Sequence, residues 1–133
     1  MNSSLKYRGK SVYNGKWVYG ERLNPECLAI YRRNKTHIDH IFCKVDRKTI
    51  DMSTGWLDSE NQEIFQNDIV LIRRKNRGGV QIVKLYVIKY TKGLGWIPGI
   101  KQEDISGKRY EVKIVGNIHD NIRRENGEAV LWL

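Results

Sequence analysis

The sequence predicts a mainly β protein, its antiparallel hairpins curled into a small open barrel or sandwich, with one or two short helical turns. Three observations carry that prediction. Apolar and polar residues alternate over short runs such as "YEVKIVGNIHDN", which turns one face of each run toward a core. Turn-forming residues separate those runs at Asn14-Gly15, Asp58–Asn61 and Arg74–Gly79. No segment sustains a 3.6-residue apolar period long enough for a major helix. A chain of 133 residues with neither repeat nor low-complexity linker suits a single domain over 1–133. Within it, N-terminal hairpins would occupy about 1–45 and a barrel-like core about 46–133.

The elements follow in order. "LKYRGKSVYNGKWVYGERL" suggests strands near 4–8, 11–13 and 16–22. Its Asn14-Gly15 pair lies between β-favouring runs, the signature of a type I′ hairpin turn, which needs positive φ at both central residues. Residues 24–45 hold a second hairpin: "CLAIYRR" is one arm, "NKT" the turn and "HIDHIFCKV" the other arm. Asp46 is placed to cap a single helical turn over "RKTI". "LDSENQEIF" carries a turn rich in Asp, Ser and Asn. "DIVLIRR" is a strong strand of β-branched residues, and "GGVQIVKLYVIKY" a longer one, with Arg74–Gly79 joining them. "KGLGWIPG" reads as loop, with three glycines and a proline in eight residues. "YEVKIVGNIHDN" is the penultimate or final core strand. The tail "IRRENGEAVLWL" has room for one helical turn, and its apolar end "AVLWL" is expected to pack on this chain or on a neighbour.

Three stretches, taken together, resemble the YopX family of small proteins encoded by bacteriophages and prophages. They are "LKYRGKSVYNGKWVYGERL", "TGWLDSENQEIFQNDIVLI" and "YEVKIVGNIHDN", and they fall in the family's order over residues 5 to 121. The resemblance implies a phage or prophage origin and action in the cytoplasm of a bacterial host. It assigns no activity, cofactor or catalytic residue. Trp56 stands where the family usually has Leu or a similar residue, Asn67 replaces the usual Gly before Asp68, and the family's common Pro-Glu-Leu ending is absent after Asn121. The shared residues also have a purely structural reading. Gly55 and Asp58–Asn61 supply turns, and Asp68 bonds backbone N–H groups where the chain enters a strand.

Charge narrows the partners. A formal net charge of +9 favours polyanions, with nucleic acid first among them, through a field that salt screens. No apolar run approaches the ~18 residues of a membrane-spanning helix, so a membrane partner is not expected. Two cysteines, Cys27 and Cys43, are too few for a disulfide framework and read as small hydrophobes, buried or half-buried.

Catalytic chemistry finds little footing, and no cofactor, metal or catalytic residue is expected. His37, Asp39, His40 and Cys43, with Cys27 upstream, form the richest ligand set. On a strand His40 points away from His37 and Cys43, and the spacing matches no closed zinc pattern. Gly9-Lys10-Ser11 lacks the upstream glycine and following helix of a phosphate loop. No serine occupies a Gly-x-Ser-x-Gly elbow.

The basic segment is the candidate binding site. Arg73, Arg74, Lys75 and Arg77 crowd the turn between two strands, and Lys84 and Lys89 follow along the second arm. A charged hairpin tip can lie along phosphates, with Tyr86, Tyr90 and Trp96 as stacking platforms. The alternative is a protein-interaction module for a host or phage protein, or a homo-oligomer. It would use the aromatic surface and the apolar tail.

Overall fold

The computed structural model describes residues 6–33 and 38–131. At 58% strand and 11% helix the chain is mainly β, as expected, and its sheets are open. The strand pairs of its described residues are antiparallel. The chain divides between Ser53 and Thr54 into two compact units.

In the first unit, β1 (Tyr7–Lys10) pairs with β2 (Trp17–Asn24), β2 with β3 (Cys27–Arg33), and β3 with β4 (Ile38–Lys44). A single 3₁₀ turn, Arg47–Thr49, leads into β5 (Asp51–Leu57), whose first residues lie beside β1. The second expected hairpin is present, with Cys27 opposite Lys44 and Arg33 opposite Ile38. The expected cap is present too: the Asp46 carboxylate accepts the Lys48 N–H at 3.0 Å. The first hairpin forms, but its turn is not type I′ and 11–13 is not a strand. Only Gly15 has positive φ, at 69°. The Ser11 hydroxyl accepts the Tyr13 N–H, and the Ser11 carbonyl accepts that of Gly15. Those local bonds curl 11–15 into a wider, helix-like loop, closed by the Ser11 N–H on the Lys16 carbonyl, in place of a two-residue turn. β2 and β3 approach so closely that a Cβ at Gly20 would overlap the Ala29 carbonyl. Leu28, Ala29 and Val45 are buried, whereas Phe42 on β4 is exposed.

The second unit continues with β6 (Glu63–Phe65), β7 (Asp68–Lys75) and β8 (Gln81–Val87), then β9 (Lys89–Thr91) and β10 (Gly95–Ile97). Helix α1 (Gln102–Ser106), β11 (Glu111–Asn117), α2 (Ile118–Asn121), β12 (Ile122–Glu125) and β13 (Glu128–Leu131) complete it. β7 is the centre of a three-stranded sheet in the order β11-β7-β8. Its face carrying Val70 and Ile72 meets Ile64, Ile88, Ile105 and Val112 in the core, with Trp56, Tyr86, Trp96 and Tyr110 packed around them. Each fully buried Val or Ile contributes about 1.5–3 kcal/mol relative to exposure.

Four expectations are corrected in this unit. The long strand after Gly79 is broken at Ile88, whose side chain enters the core while the chain leaves β7 for β10. "KGLGWIPG" is not all loop, because Gly95–Ile97 pairs with Lys89–Thr91. Gly55 lies inside β5 at φ 79°, a kink in a strand rather than a turn. The tail forms a hairpin, β12 with β13, instead of a helical turn. Its Asn126 and Gly127 take φ of 51° and 79°, so the type I′ signature is realised there and not at Asn14-Gly15.

Asn67 has φ 68° and enters β7 with its N–H on the Ile88 carbonyl and its carbonyl on the Ile118 N–H. Left-handed backbone costs a β-carbon residue about 1–2 kcal/mol, with Gly exempt and Asn tolerant. The Gly-to-Asn difference from the family pattern is therefore conservative. Asn67→Gly should leave urea stability nearly unchanged, whereas Asn67→Ala should lower it by about 1 kcal/mol.

A candidate anion-binding cleft

The basic residues picked out in the sequence are spread over two strands, the turn between them and a second sheet. Arg73, Arg74 and Lys75 occupy the end of β7, and all three are exposed. Arg77 belongs to the turn beyond it, closed by the Asn76 N–H on the Val80 carbonyl and the Gly79 N–H on the Asn76 carbonyl. Lys84 stands on β8 opposite Ile72, and Lys89 opens β9 in a different sheet. Tyr86 and Trp96 pack against the core. Tyr90 is exposed and meets the Trp96 ring edge-on at 5.2 Å.

Two cations that sequence reading missed join the first three. Lys108 and Arg109 follow α1, in a loop folded back onto that helix's carbonyls. The Gly107 N–H reaches the Glu103 carbonyl at 2.8 Å, and those of Arg109 and Tyr110 reach Asp104. Lys108 takes φ 61°, which reverses the chain after the helix. Ile105, buried in the core, pins α1 in place. The β11–β7 register then sets Glu111 opposite Arg73. The result is a cleft of about 350 Å³ lined by Arg73, Arg74, Lys75, Lys108 and Arg109, with Gln81 and Glu111.

Five cations thus face one carboxylate. Among the described residues, Arg73, Arg74, Lys75 and Lys108 make no ion pair. Arg109 has a loose, exposed contact of 3.7 Å with Asp104, a kind of pair that contributes little in water. Converging cations in excess of their counter-charges favour a phosphate or another oxyanion, and Arg can bond such a group through two N–H groups at once.

The other constellations stay dispersed. Cys27 and Cys43 are half-buried free thiols on adjacent strands. Among the described residues no three His, Cys, Asp or Glu side chains converge on a metal-sized site, and His37 lies outside those residues. The buried carboxylates are engaged by the protein itself: Asp51 with Arg8, Asp58 with three backbone N–H groups, and Asp68 with the Phe65 N–H at 2.7 Å. The last is the strand-entry bond expected of Asp68.

Fold and cleft together define a small, basic, mainly β protein with a concavity lined mainly by cations. A profile of the YopX protein family matches residues 6–124, and the chain belongs to that family. No curated protein matches it.

Proposed function

We propose that this chain is a non-enzymatic accessory protein of a phage or prophage that binds nucleic acid in the cytoplasm of a bacterial host. Its site is the cationic cleft. The observation that carries the proposal is the convergence of Arg73, Arg74 and Lys75 with Lys108 and Arg109 from a segment remote in sequence. A charge run spread over a solvated hairpin would not gather such a second segment. Phage origin is what the resemblance of the three motifs implies, and the net charge of +9 supplies the long-range attraction to a polyanion.

The test is a salt series of fluorescence anisotropy with labelled oligonucleotides. Binding should weaken steeply with salt, by about 0.7 in log–log slope for each phosphate contacted on a single strand. Replacing Arg73, Arg74 and Lys75 together by Gln should lower affinity about a hundredfold near ~0.1 M salt and flatten the slope by about 2. Replacing Arg77 and Lys84 by Gln, outside the cleft, should change affinity by no more than about threefold. Absence of binding at ~50 mM salt would sink the proposal.

A second reading, a protein-interaction or self-associating module, is favoured by one observation. Val83 and Leu85 are each 47% exposed on β8, an edge strand of its sheet. The outermost tail residues, Trp132 and Leu133, lie outside the described residues. Light scattering separates the readings, because the first expects a monomer in the absence of nucleic acid.

A further inference from the structure

We infer that the ligand of the cleft is an unpaired nucleic-acid strand, with one base seated against Tyr110 in the groove that adjoins the cations. This rests on the nucleic-acid reading of the cleft and deepens it. A groove of about 760 Å³ shares Lys108 and Glu111 with the cationic cleft, so the two cavities meet at that pair of residues. Their linings differ in chemistry. The cleft is lined mainly by cations. The groove beyond Lys108 offers Leu57, Ser106 and Tyr110 together with polar turn residues and the carboxylates of Asp58, Glu60 and Glu111, of which Asp58 is held by backbone N–H groups and Glu60 lies 3.4 Å from the Lys113 ammonium. Tyr110 lines the groove and also packs against the core cluster, which fixes its position. A ligand matching this sequence of surfaces has an anionic group next to a flat, partly apolar body, which describes a nucleotide.

The groove wall is set in advance. The Gln102 side-chain amide holds the end of β5 by both backbone groups, accepting the Leu57 N–H at 2.7 Å and donating to the Leu57 carbonyl at 3.1 Å. A site fixed before binding loses little entropy in ordering itself. A duplex hides its base faces in the stack and would present only phosphates to the cleft, leaving the groove unfilled. An unpaired strand fills both cavities, because its bases are free to stack on a ring.

The experiment compares three labelled ligands on the full chain by anisotropy: a short oligothymidine, an abasic strand of the same length, and the corresponding duplex. Oligothymidine should bind about tenfold tighter than the abasic strand, the effect of one stacked base. Tyr110→Leu should abolish that difference, and Tyr110→Phe should keep it. Amide shifts of the unaltered protein provide a measurement independent of any variant's folding. Oligothymidine should move Leu57 and the 106–111 segment, and the abasic strand should move Arg73–Lys75 and Lys108 without Leu57. Equal affinity for the oligothymidine and abasic strands, or shifts that never reach Leu57 and Tyr110, would overturn the inference while leaving the cationic cleft intact. Absence of binding by all three at ~50 mM salt would overturn the cleft reading and this inference together.

Discussion

Asp58→Ala should destabilise the second unit by about 3–5 kcal/mol, a large share of the ~5–15 kcal/mol that holds a typical domain together. Asp58 is 3% exposed. Its Oδ1 accepts the Glu60 and Gln62 N–H groups, both at 2.8 Å, which shapes the turn between β5 and β6. Its Oδ2 accepts the Ile114 N–H at 3.2 Å, which ties that turn to β11. Alanine would leave three backbone donors without the acceptor they now use. Bonds to a charged acceptor contribute about 1.5–3 kcal/mol each, and the sum falls short of three full contributions because water reaches part of the vacated space. Asp58→Asn keeps one carbonyl oxygen but turns an NH₂ toward at least one donor, so a loss of about half is expected. Urea denaturation followed by circular dichroism gives the total, and amide exchange at Glu60, Gln62 and Ile114 localises it. A change below about 1 kcal/mol in the alanine variant would show that these bonds do not support the turn.

The Asp58 turn also explains what could be read in the sequence and what could not. Local chemistry was legible. Asp46 caps the turn after it, Asp68 bonds the Phe65 N–H, and both use side-chain oxygens within three residues of their partners. The pairing of "CLAIYRR" with "HIDHIFC" was legible from two β-favouring runs about a short polar turn, though the register was not. Errors arose where two local signals competed. At Asn14-Gly15 the Ser11 hydroxyl captured the Tyr13 N–H, so the turn widened into a helix-like loop, whereas Asn126-Gly127 had no such neighbour and formed the mirror-image turn. "VIKY" reads as an unbroken strand, yet it changes partner at Ile88, and only the packing of Ile88 against the core reveals that.

The cleft was half legible for the same reason. Arg73, Arg74 and Lys75 are adjacent, so any charge count finds them. Lys108 and Arg109 reach them only through the antiparallel pairing of β11 with β7 and the reversal after α1. The signal was present as "SGKRYE", a glycine-bounded basic pair just before a strand expected to enter the core. Pairing that strand antiparallel to "DIVLIRR" would have brought the two clusters to one end of the sheet. Arg77, Lys84 and Lys89 look equivalent to the other cations in sequence but are separated by the turn, the strand register and the change of sheet at Ile88.

The second large effect is expected in the first unit. Arg8 Nε lies 3.0 Å from Asp51 Oδ2, with the two side chains 7% and 0% exposed, and the guanidinium sits 4.6 Å from the centre of the Trp17 ring. Neither charge is solvated enough to stand alone. Asp51→Ala should therefore cost about 3–5 kcal/mol, most of it the penalty of a buried guanidinium that has lost its carboxylate. The attraction within the pair is a different quantity, because forming the pair already required stripping water from both ions. Replacing both partners, Arg8→Met with Asp51→Leu, removes the two desolvation costs along with the attraction. The double variant should recover most of the stability lost by Asp51→Ala. Because Arg8 and Asp51 are directly opposite in the β1–β5 register, the cycle should show a coupling of more than about 1 kcal/mol. Amide exchange along β1 and β2 reads the result in the unit where it arises. Additive losses in the double variant would mean that Arg8 finds other partners when Asp51 is gone, and that the pair is not what holds β1 against β5.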